Sequence, residues 1–97
     1  MLKNKKEYLF LEQKAEILKA ISHPVRLCIL RGLVQQGPSS VGNMTTCLDI
    51  PQATVSQHLA KMKAVGILKS KRNGTKVIYS LHNISNIKEL IESFIIS

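Results

Sequence analysis

The chain has 97 residues, which fits one small domain over residues 1–97. Fourteen Lys and Arg against six Asp and Glu give a formal net charge of +8, which favours a polyanionic partner. The apolar runs are too short and too interrupted to span a bilayer, and no signal peptide is recognisable. We therefore expect a cytoplasmic protein that does not bind membranes.

The first predicted helix runs from about Tyr8 to Ile21, after a lysine-rich start expected to be mobile. Its apolar side is marked by Leu11, Ala15 and Leu18, with Ile21 as a further candidate. Ser22 is the predicted N-cap of a second helix, because proline follows at 24, where a first helical turn tolerates it. The predicted buried stripe of this helix consists of Val25, Cys28, Ile29, Leu30 and Leu33.

Gly37 and Pro38 end the second helix, and Ser39 or Ser40 caps a short third helix over about 41–48. The segment 49–51, Asp-Ile-Pro, then forms a tight turn into a fourth helix. Two short helices joined by such a turn are typical of a helix-turn-helix, in which the second helix reads DNA.

Residues 51–66 are predicted to form that reading helix. Val55, Leu59 and Met62 recur at i, i+4 and i+7, which places them on one side. The opposite side carries small residues, an amide and a lysine but no acid: Ala53, Thr54, Gln57 and Lys61. Amides bond base edges, small residues allow close approach, and lysine meets phosphate, so this face suits the DNA major groove. A merely solvated helix would more often alternate Glu with Lys.

A basic hairpin, or wing, is predicted after the reading helix. Residues 67–72 and 76–81 flank Asn73-Gly74, which is the strongest short hairpin signal. The polar wing residues expected to contact DNA are Lys69, Lys71, Arg72, Asn73 and Lys76. No acid lies between Asp49 and Glu89, which is typical of a face that binds a polyanion. The predicted fold is thus mainly α with a small β-hairpin, a winged helix-turn-helix in the order α-α-α-α-β-β-α.

The last predicted helix starts near Ser85 or Asn86, and Asn86 with Glu89 resembles a capping box. Its wide apolar stripe either packs on the chain's own core, or pairs with the first helix and with the copy of that helix in a second subunit. Dimer formation is favoured, because so small a domain leaves terminal helices little to cover them. The terminal helices, about 8–21 and 85–96, supply the candidate dimer residues Leu11, Leu18, Ile87, Leu90, Ile91, Phe94 and Ile95.

The segment AISHPVRLCILRGL, followed by IPQATVSQHLAKMKAVGILKSKRNGTKVIYSL, resembles the ArsR/SmtB family of bacterial winged-helix repressors, from about Leu11 to the end. The resemblance implies a homodimer built from the first and last helices. It also implies repression at a double-stranded operator with two-fold symmetry, relieved by an effector that stays unknown. Family positions that face DNA align with Gln52, Ala53, Ser56 and Gln57. His58 borders the apolar face, where packing or a structural hydrogen bond is expected more than base contact, although a phosphate contact stays open.

The chain departs from the metal-sensing members of the family. Those members have a Cys-x-Cys pair in the third helix. The corresponding segment here, residues 44–48, contains only one cysteine. Asn83 and Ser85 replace the Asp and His that begin the second known metal site, and the last helix has no His. We therefore predict no metal and no cofactor. Cys28 and Cys47 are candidates for a thiol switch, against the plainer interpretation of Cys28 as a small buried hydrophobe.

One alternative is a winged-helix protein-interaction module with only non-specific nucleic-acid binding, whose C-terminal stripe receives a foreign helix. The acid-free window argues against it. RNA binding by the wing stays open, but only four aromatic residues are present and only Tyr79 lies near the wing. No nucleophile stands at a recognisable spacing from a base, so an enzyme is not expected.

Overall fold

The computed structural model describes residues 4–82 and 86–96. Five helices and three short strands follow one another in the order α1 Lys5–Ile21, α2 Pro24–Gln36, β1 Ser39–Ser40, α3 Val41–Leu48, α4 Gln52–Ala64, β2 Leu68–Asn73, β3 Lys76–Leu81 and α5 Ile87–Leu90, which continues as a π-helical segment, Ile91–Ile96. This confirms the predicted winged helix-turn-helix, which is mainly helical.

Two helix starts differ from the prediction. The first helix begins at Lys5 and not at Tyr8, because the Oδ1 atom of Asn4 accepts a hydrogen bond from the Glu7 N–H at 2.8 Å and caps it. The N-cap of α2 is His23 and not Ser22. Its Nδ1 atom accepts from the Val25 N–H at 3.1 Å, a role that the sequence pattern assigned to a hydroxyl.

The sheet has one strand more than predicted. It is antiparallel in the order β1-β3-β2, and Ser39 and Ser40 pair with Tyr79 and Ile78. A strand of two serines is too short to show an alternating pattern. Ser40 also caps α3, since its Oγ atom accepts from the Asn43 N–H at 3.1 Å, which confirms one of the two predicted caps.

The wing hairpin turns one residue later than predicted. Asn73 pairs with Lys76, so the loop consists of Gly74 and Thr75. Gly74 has a φ of 66°, which suits the first central position of a type II′ turn. Asn73 therefore ends β2 and does not form part of the loop.

Helix α4 ends as the sequence predicts. Gly66 adopts a φ of 82°, its N–H donates to the Lys63 carbonyl at 3.0 Å, and the Ile67 N–H donates to the Met62 carbonyl at 3.1 Å. This Schellman arrangement satisfies the last carbonyls and turns the chain into β2.

The predicted capping box of the last helix is wrong. Asn86 has a left-handed backbone, with a φ of 54°, and its side chain makes no capping hydrogen bond. A side-chain cap needs an extended backbone at that position, which Asn86 does not have. Ser85, the other predicted start, lies outside the described residues.

The core of the described residues lies where the end of α1, α2, α3, α4 and the C-terminal helix meet the base of the wing. It is formed entirely by apolar side chains, namely Ala20, Ile21, Ile29, Leu30, Leu33, Met44, Val55, Leu59, Met62, Ile67, Leu68, Ile87 and Ile91. Val25 and Cys28, predicted in the stripe of α2, are only half-buried. One side of α4 packs against this core, and the opposite side is exposed to solvent.

Candidate nucleic-acid interface

Helix α4 presents the predicted polar face to solvent. Val55, Leu59 and Met62 are fully buried beneath it. The exposed residues of the predicted face are Gln52, Ala53, Gln57 and Lys61, whereas Thr54, Ser56 and His58 are half-buried. The exposed face combines amide, small and cationic side chains, which is the chemistry that base edges and phosphates require.

The amino end of α4 is also free of a side-chain cap. Pro51 precedes the helix and makes no side-chain capping bond, while its carbonyl accepts from Thr54 and Val55 at 3.0 and 3.1 Å. The turn before it is fixed by Asp49, which is left-handed and donates its N–H to the Thr45 carbonyl at 3.0 Å. The free N–H groups of an uncapped helix start can donate hydrogen bonds to a phosphate oxygen.

The wing carries its cations on two faces. All five predicted wing residues, Lys69, Lys71, Arg72, Asn73 and Lys76, are exposed. Because side chains alternate along a strand, Lys69 and Lys71 share one face, and the pairing of Asn73 with Lys76 places Lys76 there too. Arg72 lies on the opposite face, together with the buried Leu68.

A hydrogen bond that the sequence did not reveal connects α4 to the wing. The Nζ atom of Lys63 donates to the Oγ atom of Ser70 at 2.7 Å. Lys63 lies near the end of α4 and Ser70 in β2, so only the tertiary structure brings them together. The bond joins the cationic strand β2 to the C-terminal end of α4.

His58 makes the structural hydrogen bond that the sequence favoured over base contact. Its Nδ1 atom accepts from the Nε atom of Arg26 at 3.1 Å, and its ring centroid lies 4.5 Å from that of His23. Burial first, and then the electrostatic effects of His23, Arg26 and Lys61, lower the pKa of His58. The sequence pattern did not indicate this role for Arg26.

Helix α1 has two apolar sides. Ile17, Ala20 and Ile21 pack against the core, so Ile21 does not belong with the outer stripe. Leu11, Ala15 and Leu18 face solvent, and Leu18 is 54% exposed. The large apolar side chains that stay exposed are Tyr8, Leu9, Phe10, Leu11, Leu18 and Phe94.

The end of α1 and the C-terminal helix enclose an apolar groove of about 240 Å³. Its walls include Leu18, Leu27, Leu90, Phe94 and Ile95, and Phe94 is 77% exposed. Of the predicted dimer residues, Leu11, Leu18, Leu90, Phe94 and Ile95 are at least partly open to solvent.

Ile87 and Ile91 are exceptions among the predicted dimer residues. They are 2% and 0% exposed and pack within their own chain. Their side chains are therefore not exposed to a partner. The apolar stripe of the sequence includes residues that face the core together with residues that line the groove, and its spacing alone does not separate them.

A model of the helix-turn-helix domain (HTH_20) matches residues 21–71. The transcriptional repressor PagR of Bacillus anthracis is 42% identical over 80 residues, covering 82% of this chain and 80% of PagR. Its crystal structure superposes with a TM-score of 0.79 at 38% identity, covering 89% of this chain and 97% of that one. The repressor SmtB of Mycobacterium tuberculosis is 35% identical over 79 residues, covering 79% of this chain and 58% of SmtB.

The chain belongs to the ArsR/SmtB family of transcriptional repressors. The chain is also similar in structure to the homodimeric winged helix-turn-helix DNA-binding domain of a possible ArsR-family transcriptional regulator from Mycobacterium bovis. That domain has a TM-score of 0.81 at 26% identity and covers 94% of this chain and 85% of its own.

In this ArsR/SmtB protein the two cysteines, Cys28 and Cys47, line the same cavity. Cys28 of α2 and Cys47 of α3 both line a space of about 200 Å³; Cys28 is half-buried and Cys47 exposed. The Nη2 atom of Arg31 lies 3.8 Å from the Cys28 sulfur. The sequence pattern predicted neither the shared cavity nor the arginine contact.

Two further features concern metals and membranes. Within residues 4–82 and 86–96, no group of three His, Cys, Asp or Glu side chains is arranged to hold a metal. Asn83 and Ser85, aligned with a metal site of the family, lie outside the described residues. No helix in that described part is both long and apolar enough to cross a membrane.

Proposed function

We propose that this ArsR/SmtB protein is a homodimeric transcriptional repressor that binds a double-stranded operator with two-fold symmetry. The observation that carries the proposal is the exposed, acid-free face of α4 beside a cationic wing. No acid occurs in the sequence between Asp49 and Glu89, so nothing in this segment repels a phosphate backbone.

The two parts of this surface have different chemistry. Gln52 and Gln57 carry amides on the exposed face of α4, and an amide can both donate to and accept from a base edge. Lys61 and the wing lysines are point charges that suit phosphates and carry little sequence information. Base discrimination therefore belongs to α4, and most of the salt-dependent affinity belongs to Lys61 and the wing.

The exposed apolar surface supports a dimer. Helix α1 has 17 residues and is about 25 Å long, yet only its C-terminal part packs on its own core. Leu11 and Leu18 lie on its outer side, close to the groove beside Phe94. A second copy that covers these residues removes the exposed apolar area and sets two α4 helices on one side of the dimer.

The proposal is tested by selecting genomic DNA fragments with the purified protein. The selection is made in the presence of reductant and chelator, at two salt concentrations. Enrichment of a short inverted repeat that survives the higher salt supports a specific dimer that needs no metal. Diffuse enrichment that disappears with salt contradicts it and favours the protein-interaction module.

A matched pair of variants locates the reading surface. Gln57→Ala removes an amide from the exposed face of α4, whereas Gln35→Ala removes another exposed amide from α2. We expect the first variant to change the enriched sequence and the second to leave it unchanged. The same changed sequence in both variants would contradict the assignment of α4.

A further inference from the structure

Arg26 joins three helices through one guanidinium group. It lies in the first turn of α2, and its Nε atom donates to the Nδ1 atom of His58 in α4 at 3.1 Å. Its Nη1 atom donates to the carbonyl oxygen of Ala20, in the last turn of α1, at 3.0 Å. A planar group with several donors in fixed positions can serve both acceptors together, which a single ammonium group cannot.

The Ala20 carbonyl is a suitable acceptor at the end of α1. The last carbonyls of a helix lack partners within the helix. The next two backbone N–H groups are directed elsewhere, from Ser22 to Lys19 and from His23 to Ile21. A cation is also favoured at the carboxyl end of a helix, where partial negative charge accumulates.

The bond to His58 requires a neutral imidazole. Its Nδ1 atom accepts from Arg26, so the proton of the neutral ring resides on Nε2. The charged or titratable groups that face the ring are His23 and Arg26, from α2 and its cap, and Lys61 from α4 itself. None of them is a carboxylate. Burial, followed by the electrostatic effects of His23, Arg26 and Lys61, lowers the pKa of His58 and favours the accepting form at neutral pH.

His58 occupies the flank of α4, between the buried Leu59 and the exposed Gln57. A hydrogen bond at this flank resists rotation of the helix about its own axis. We propose that Arg26 is a positioning residue that fixes the orientation of α4 relative to α1, and that the link opens when His58 takes up a proton. A protonated ring carries a hydrogen on both nitrogens and so cannot accept from Arg26.

The inference rests on the proposed function, in which α1 forms the dimer and α4 reads DNA. In a two-fold dimer the orientation of α4 relative to α1 sets the angle and separation of the two reading helices. Loss of the link therefore weakens binding to two correctly spaced half-sites. It leaves the sequence-independent attraction between the wing and phosphates in place.

The test compares Arg26→Lys with the control Arg31→Lys. Both variants keep a positive charge on α2, but only the first removes the link, because Arg31 is exposed and contacts Cys28. Affinities are measured near pH 8 for the selected operator and for unrelated DNA, with the oligomeric state followed by sedimentation. We expect Arg26→Lys to lose about tenfold in operator affinity, within the usual range of coupling between sites. We expect Arg26→Lys to dimerise and to bind unrelated DNA as the wild type does. Arg31→Lys is expected to match the wild type in all three measurements.

A second experiment tests whether protonation of His58 opens the link to Arg26. His58→Asn places an amide oxygen near the position of Nδ1, which accepts from Arg26 but does not titrate. His82→Asn is the control at a histidine outside the link. As the pH is lowered from about 8 through the ordinary histidine pKa and further below it, the ratio of operator to unrelated-DNA affinity falls in the wild type and in His82→Asn. In His58→Asn this affinity ratio does not change with pH.

Three results overturn the inference. Arg26→Lys binds the operator as tightly as the wild type, or His58→Asn keeps the wild-type dependence on pH. The third uses no DNA: nitrogen NMR of the free protein shows a proton on His58 Nδ1 near pH 8. A wild-type protein that selects no operator at that pH contradicts the proposed function itself, and this outcome is distinct from equal binding by wild type and Arg26→Lys.

Discussion

The Nζ atom of Lys63 in α4 lies 2.7 Å from the Oγ atom of Ser70 in β2. This contact joins the wing to the end of the helix that precedes it, and we expect it to restrict the movement of the wing relative to α4. Because Lys63 is exposed, the bond contributes little to folding and mainly restricts the geometry of the surface.

Removal of this hydroxyl tests the connection. We expect Ser70→Ala to weaken binding to operator and unrelated DNA alike by a few-fold, since the wing must then be ordered on binding. The melting temperature is expected to change little. Ser80→Ala, in the neighbouring strand, serves as the control. An unchanged affinity in fluorescence anisotropy titrations of Ser70→Ala would show that the bond does not position the wing.

The face of the wing that carries Lys69, Lys71 and Lys76 is predicted to act through charge alone. Lys71→Ala should weaken binding to every sequence and reduce the slope of log affinity against log salt by about 1, the contribution of one phosphate contact. Lys6→Ala, at an exposed lysine of α1, is the control for net charge. A salt slope that falls equally in both variants would mean that Lys71 has no direct contact with a phosphate.

The dimer surface can be tested on a single helix. Leu18→Glu places a charge on the outer side of α1 beside the groove, and we expect it to produce monomers at micromolar concentration. Leu9→Glu is the matched control, because Leu9 is similarly exposed but lies on a different side of the helix. Sedimentation velocity distinguishes the species. Dimers in both variants would contradict the assigned surface.

Much of this architecture could be predicted from periodicity. The spacing of Val55, Leu59 and Met62 indicated which side of α4 is buried, because a helix repeats every 3.6 residues and the core excludes water. Gly66 marked the end of α4 for an equally local reason, since a left-handed residue favours glycine.

Other features depend on contacts between distant parts of the chain. The strand at Ser39 exists only because Tyr79 is beside it, and Arg26 reaches His58 across 32 positions of sequence. The apolar stripe of the last helix did not reveal that Ile91 is buried while Phe94 is exposed, because periodicity identifies a face and not what covers it.

Stability is expected to depend on pH through His58. The pKa of this imidazole in the folded protein is lowered from 6.5, so the unfolded chain binds the proton more readily. The contribution is complete above about pH 6.5, and it is lost as the pH falls from there towards the lower folded pKa. Urea denaturation at a series of pH values should show this loss in the wild type and in His82→Asn but not in His58→Asn. Identical pH dependence in all three proteins would exclude His58 as the source.

The two thiols are predicted to differ in reactivity. Cys47 is exposed and Cys28 half-buried, so we expect a small disulfide or iodoacetamide to modify Cys47 first. Mass spectrometry of peptides at successive times measures the order. A thiol switch at their shared cavity further predicts that this modification changes operator affinity, and that Cys47→Ser prevents the change. Equal rates at both residues would contradict the observed difference in exposure.

The central claim is that α4 reads bases while the wing holds phosphates. It is tested most directly by measuring the wild type, Gln57→Ala and Lys71→Ala against every single-base variant of the selected operator. We predict that Gln57→Ala loses discrimination at one pair of symmetry-related base pairs, where a good amide contact contributes about 1–3 kcal/mol. Lys71→Ala is predicted to lose affinity uniformly. Uniform loss by both variants would contradict the claim, because α4 would then bind DNA without reading it.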